Sequence, residues 1–155
     1  MELTDKYCAI TAINLAFLLQ DANAASCPNS KGTARAQIAP QVTALRALEH
    51  EASDRVKGLD TRPFDVLRDE VKKVAAVIAD PAALAREDEL KSCPNAPPPA
   101  RKLCADAAHD LTDILEKHVA SAKPDYDKPR YAATVADCEK AMDLKPLQTL
   151  LRGNE

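Results

Sequence analysis

The residues in this chain best suited to metal binding, redox chemistry or cross-linking are its five cysteines and three histidines. His50 and Asp54 are spaced i, i+4, and so are His109 and Asp113. On a helix that spacing puts both side chains on one face, and two such pairs turned toward each other would hold a divalent cation. The helical wheel turns them apart. His50 lies opposite the stripe of Val42, Leu45 and Ala52, while His109 and Asp113 lie opposite Leu111 and Leu115. Both pairs are therefore expected on charged outer faces, and no metal is expected. His118 differs because it falls within an apolar stripe, the setting of a core histidine hydrogen-bonded to a neighbour.

The cysteines point to staples. Cys138 sits in an apolar face with Val135 and Met142, and Cys104 lies at the edge of another. Cys27 and Cys93 each precede a long helical stretch. The expected pairing is Cys27–Cys93 with Cys104–Cys138; the competing one is Cys93–Cys104 with Cys27–Cys138. No Cys-x-x-Cys is present, so a thiol redox site or a four-thiolate zinc site has no motif behind it. Covalent haem has no Cys-x-x-Cys-His, and His118 and Met142 stand at opposite ends of their hairpin, so no haem is expected. A nucleophile elbow, a zincin motif and a Gly-rich phosphate loop are all missing, the last unsurprising with three glycines. Acidic runs such as Arg86-Glu87-Asp88-Glu89 are expected as solvated faces. With no gathered titratable groups, no cofactor and no catalytic residue is expected, and the chain is expected not to be an enzyme.

The elements that must position these residues are helical. Ile38, Val42, Leu45, Leu48, Ala52 and Val56 recur at three- and four-residue steps, with Pro40 near the start of that helix, either beginning its regular part or kinking it, and Gly58 as its stop. Asp60 and Thr61 offer N-caps for a helix carrying Phe64, Leu67, Val71, Val74 and Ile78. Asp80-Pro81 opens a shorter helix to about Leu90. After Pro97-Pro98-Pro99 a long helix runs from about Ala100 to Ala122, and Asp127 caps a last one bearing Tyr131, Val135, Cys138 and Met142. Leu144, Leu147, Leu150 and Leu151 form an apolar tail that should pack back. No segment alternates with period two, so the fold expected is all-α: an antiparallel four-helix bundle of two similar α-hairpins, stapled by disulfides.

The two hairpins look like copies of one unit. Ser26-Cys27-Pro28-Asn29 recurs as Ser92-Cys93-Pro94-Asn95, a shift of 66 residues, with Ala34-Arg35 and Ala100-Arg101 matched downstream. At the same shift Leu45 falls on Leu111, Leu48 on Ile114, Pro63 on Pro129, Ile78 on Leu144, Leu84 on Leu150 and Arg86 on Arg152. The repeat is placed at 26–91 and 92–155 within one domain, 25–155.

The first 24 residues are expected to be a signal peptide. Cys8 to Leu19 is apolar but too short to span a bilayer, and Ala22-Asn23-Ala24 has the small-x-small form of a cleavage site. Cleavage would remove Cys8 and leave four cysteines, an even number suited to an oxidising compartment. Glu2 and Asp5 sit where a basic start is usual, and the alternative is a retained N-terminal helix in a cytoplasmic protein.

The stretch from Cys104 through Leu111 and Tyr126 to Cys138 is similar in plan to the disulfide-clipped hairpin of plant invertase and pectin methylesterase inhibitors, which are exported helical bundles. The likeness covers about a third of the chain, the paired N-terminal cysteines of that family have no counterpart, and no residue role is carried over.

Composition narrows the partners. Aromatics make up 3% with no Trp, and the net charge is −3, which favours neither nucleic acid nor an anionic membrane surface. The expected function is an exported, non-enzymatic interaction protein of the periplasm or extracellular space, of inhibitor, immunity or chaperone type, with a protein partner and no stable membrane insertion after leader removal. The alternative is a carrier of a small ligand or metal inside the bundle.

Overall fold

The computed structural model describes residues 33–153. Five α-helices and no strand occur among them: α1 Thr33–Val56, α2 Phe64–Ile78, α3 Pro81–Leu90, α4 Ala100–Val119 and α5 Asp127–Ala141, followed by a 3-10 turn, Leu150–Arg152. The all-α class stands. Residues 1–24, read as a leader, and Cys27 lie outside the described residues. No described helix is long and apolar enough to cross a membrane.

Each helix end has a local chemical cause. Gly58 ends α1 at a φ of 82°, where Gly58 N–H reaches the Arg55 carbonyl and Leu59 N–H reaches the Asp54 carbonyl. This is a Schellman closure, and it needs a left-handed residue that glycine supplies without strain. The end of α4 closes the same way around Ser121 at φ 54°, with Ala122 N–H on the Lys117 carbonyl, which stops α4 at Val119 short of the expected Ala122. Asp143 at φ 56° does it for α5, with Leu144 N–H on the Glu139 carbonyl. Pro40 neither starts nor ends α1 but lies inside it.

Two expected caps are not caps. Asp60 and Thr61 stay in the loop, and Pro63, extended at φ −60° and ψ 153°, stands before Phe64 as the N-cap without a side-chain bond. Asp127 is the first helical residue of α5 and not its cap. By contrast Asp80 caps α3 as expected, its carboxylate accepting the Ala83 N–H at 2.9 Å with Pro81 behind it. Proline cannot cap α4 with a side chain, and Glu87 of α3 takes over. Its two oxygens accept the Arg101 and Lys102 N–H groups at 2.9 Å each, where the helix dipole favours an anion. Glu87 therefore leaves the solvated acidic face on which it was placed.

Neighbouring helices run antiparallel. Phe64 at the start of α2 stacks on His118 at the end of α4, while Arg101 at the start of α4 donates to the Ile78 carbonyl at the end of α2. The core is aliphatic, built from Ile38, Val42 and Leu45 of α1, Leu67, Val71 and Ile78 of α2, Leu111, Ile114 and Leu115 of α4, and Val135 of α5, with Leu151 closing it from the tail. Each large side chain so buried contributes roughly 1.5–3 kcal/mol of transfer free energy. Val56, expected in the stripe, is instead exposed at the helix end.

The 66-residue shift holds in the first helices and fails in the second. Ile38, Val42, Leu45, Leu48 and Glu49 fall on Cys104, Ala108, Leu111, Ile114 and Leu115, all buried. Leu67 and Val71, however, fall on Ala133 and Asp137, which are exposed. Their counterparts in burial are Tyr131 and Val135, 64 residues on. Arg86 is exposed where its expected mate Arg152 is buried, so that pair also parts company.

Candidate functional site

The Cys104–Cys138 bridge ties the start of α4 to the end of α5, with an S–S length of 2.03 Å and both residues buried. Cys93 is also disulfide-bonded. With Cys104 and Cys138 joined to each other, both alternative pairings, Cys93–Cys104 and Cys27–Cys138, are overturned.

A buried ionic cluster forms around the next residue of α5, Glu139, and sequence reasoning missed it. Arg152 donates from Nε to Glu49 Oε1 at 2.6 Å and from Nη2 to Glu49 Oε2 at 2.7 Å. Its Nη1 reaches Glu139 Oε2 at 2.8 Å. Thr149 Oγ1 donates to Glu49 Oε1 at 2.7 Å and Leu147 N–H to Glu139 Oε1 at 3.2 Å. Arg46 Nε stands 3.5 Å from Glu139 Oε1, so two guanidiniums balance two carboxylates. Burial alone would lower the Arg152 pKa, but its hydrogen bonds to Glu49 and Glu139 outweigh this and hold the guanidinium above its ordinary value. The Tyr131 hydroxyl, buried in the field of Glu49 and without a hydrogen bond, is pushed well above its usual value, chiefly by desolvation. Glu49 is fully buried and Arg152 is 6% exposed, so no substrate reaches them. The cluster clasps α1, α5 and the tail together. Its signal was present: the strict alternation Val42, Leu45, Glu49, Ala52, Val56 passes through a charge.

The His/Asp pairs stand as single-helix pairs. His50 Nδ1 lies 3.7 Å from Asp54, and His109 Nδ1 lies 3.6 Å from Asp113, with both histidines exposed. His109, Asp110 and Asp113 together offer three ligand atoms within 4.8 Å. A guanidinium already holds the two carboxylates. Arg130 Nε sits 2.8 Å from Asp110 Oδ1 and its Nη2 sits 2.5 Å from Asp113 Oδ2, and Asp110 foremost raises the Arg130 pKa. Thr134 takes the other Asp110 oxygen at 2.9 Å. The donor set fits an arginine better than a metal ion.

His118 corrects a second expectation. It is half-buried with its ring stacked on Phe64 at 4.6 Å, and its Nε2 is buried with no hydrogen-bond partner. Desolvation, and then the charge of Lys128, lower its pKa. It is a packing ring, kept neutral by its surroundings.

A concave feature lies elsewhere among the described residues. An open groove of about 710 Å³ runs along the seam of α2 and α4 beside α3. Its floor is made of Ala75, Ala76 and Ala79 of α2, Leu84 of α3 and Ala105 of α4. Around it stand Asp88, Asp106, Asp113 and Glu116, each paired with a basic side chain: Lys91, Lys102, Arg130 and Lys72 respectively. Lys72 bridges the seam to Glu116 at 2.7 Å, and that hydrogen bond holds the Glu116 carboxyl below its usual value. Short side chains on facing helices open the seam here, whereas Leu67 and Val71 fill it toward the core. The chain matches no protein-family model, no curated protein and no solved structure.

Proposed function

We propose that this protein is an exported, non-enzymatic interaction protein of the cell envelope or extracellular space, and that the groove between α2, α3 and α4 is its binding surface. The single observation that carries this reading is the groove itself: an apolar floor of small side chains with a rim of ion pairs, along the seam of two core helices, α2 and α4. Such a surface suits a protein segment whose apolar side chains lie on the alanines and whose polar groups of either sign meet the ion pairs of the rim. Fixed helices lower the entropic cost of binding because little is ordered in the complex.

Export is supported by the buried Cys104–Cys138 bridge, which persists in an oxidising compartment, and by the small-x-small pattern Ala22-Asn23-Ala24 after an apolar run. The scaffold is proposed to be a four-helix bundle made by duplicating one α-hairpin. What supports this is a reciprocal pair of contacts: Arg35 of α1 pairs with Asp143 beyond α5, and Arg101 of α4 donates to the end of α2.

The test is capture from the envelope fraction of the source cells by wild type and by Ala76→Arg, a change at an exposed floor position. A partner held by wild type and lost from the variant, at equal melting temperature, supports the reading. Equal capture by both contradicts it. The alternative, a metal or small-ligand carrier, has less behind it, since Arg130 occupies the carboxylates that a cation would need.

A further inference from the structure

α3 is held to the fold by little, and it stands at one end of the groove. None of its ten residues is buried. Ala83, Leu84, Glu87 and Leu90 make its inner face and are only partly covered. Leu84 and Asp88 line the groove where α2 ends near Ala79 and α4 begins near Lys102. The apolar residues lining that end from the other helices are Ala79 and Ala105, short side chains that offer Leu84 little packing area.

Among the described residues, one side chain of α3 bonds to another helix. Glu87 accepts the Arg101 and Lys102 N–H groups, one on each carboxylate oxygen, at 2.9 Å. The remaining side-chain bonds stay within α3 and its flanks, from Ala83 to Asp80, from Lys91 to Asp88 and from Ser92 to Glu89. The joints are slight as well. Ala79 and Asp80 alone separate α3 from α2, and residues 91–99 carry no regular element. Cys93 in that second stretch is disulfide-bonded, so α3 stays tethered at both ends when it moves. An element with so few buried apolar side chains sits at the low end of local opening free energies. We propose that α3 is a strap over the end of the groove, latched by Glu87, whose release uncovers the alanines on which a partner's apolar side chains lie. This rests on the groove being the binding surface. With the latch closed, Leu84 takes the place of a partner side chain, so the open fraction of α3 sets the apparent affinity.

Hydrogen exchange and label distances on the full, disulfide-bonded protein test this. In wild type the Ala85 to Leu90 amides should exchange together, at least about 100-fold faster than the Leu111 to Leu115 amides of the core. Glu87→Gln replaces one acceptor oxygen by an amide group that meets a donor. It should speed α3 exchange about tenfold further and leave Leu111 to Leu115 unchanged, whereas Glu89→Gln on the exposed face changes neither. Spin labels on non-cysteine handles at exposed Arg86 and Ala133 should show a second distance in Glu87→Gln. Capture of protein from the envelope fraction should rise in that variant by up to about tenfold. Protection of α3 equal to that of the core, equal acceleration of both by Glu87→Gln, or an unchanged label distance overturns the strap. So does capture that is lost from Ala76→Arg yet indifferent to Glu87→Gln. Capture indifferent to Ala76→Arg overturns the groove reading instead, and exchange and distances still decide whether α3 opens.

Discussion

Arg101 donates from Nη1 to the carbonyl oxygens of Ile78 and Val77, at 2.8 and 3.1 Å. One side chain in the first turn of α4 thereby satisfies two carbonyls that the end of α2 leaves open. Its own N–H is taken by Glu87 of α3, so three helices meet at this residue. Arg35, which stands 66 positions earlier, pairs with Asp143 just past α5. Arg35 thus reaches from α1 to the end of α5, and Arg101 from α4 to the end of α2.

The Glu49–Arg152–Glu139 cluster predicts an asymmetry between single and combined substitutions. Arg152→Ala leaves two buried carboxylates facing Arg46 alone and should cost about 3–5 kcal/mol, while Glu49→Leu/Glu139→Leu/Arg152→Met should fall near wild type or above it. Urea unfolding of the two variants measures this. Equal losses in both would show that the charges contribute net stability.

Ser121 sits at φ 54°, a conformation that L side chains adopt at a cost. Ser121→Gly should therefore stabilise the fold by about 1 kcal/mol, as Gly58 already serves the equivalent end of α1. A lower melting temperature for this variant contradicts the Schellman account of that helix end.

His118 sets a pH dependence. Its folded pKa lies below the ordinary 6.5, so the native state binds that proton more weakly than the unfolded chain. Stability from this site is full above 6.5 and is lost as pH falls through the folded value. His118→Phe keeps a ring against Phe64 and should flatten the fall in melting temperature between about pH 7 and pH 5. NMR titration should place the His118 midpoint below 6.5; a midpoint above it refutes the buried, unpartnered Nε2.

The helical class, the five helical segments and the first-helix face of the repeat were legible because periodicity reports burial directly. Leu45 and Leu111 are examples, both buried at the expected shift. The second helices were not, because two residues of drift move every side chain round the helix, so that Val71 finds Val135 rather than Asp137. The cluster was hidden for another reason. A charge inside a stripe is legible only if its partner is known, and the partner of Glu49 lies 103 residues away. The groove could not be foreseen from Ala75, Ala76 and Ala79, since small residues mark a close helix contact as readily as a gap between helices.

The Cys104–Cys138 bridge closes a loop of 34 residues, and Cys138→Ser should cost about 3–4 kcal/mol in the chain-entropy account. Native protein from the source cells should begin near Ala25 by intact mass and show no free thiol after denaturation without reductant. A mass that includes residues 1–24, or four or five free thiols, removes the case for export.

The binding surface is tested most directly by a photo-cross-linking amino acid placed at Ala76, in the groove, and separately at exposed Ala133 of α5, in the source cells. The account predicts one dominant adduct from position 76, with a protein of different mass from this chain, and none from position 133. Adducts from 133 in equal yield, or none from 76 when cross-linking is efficient, would contradict it.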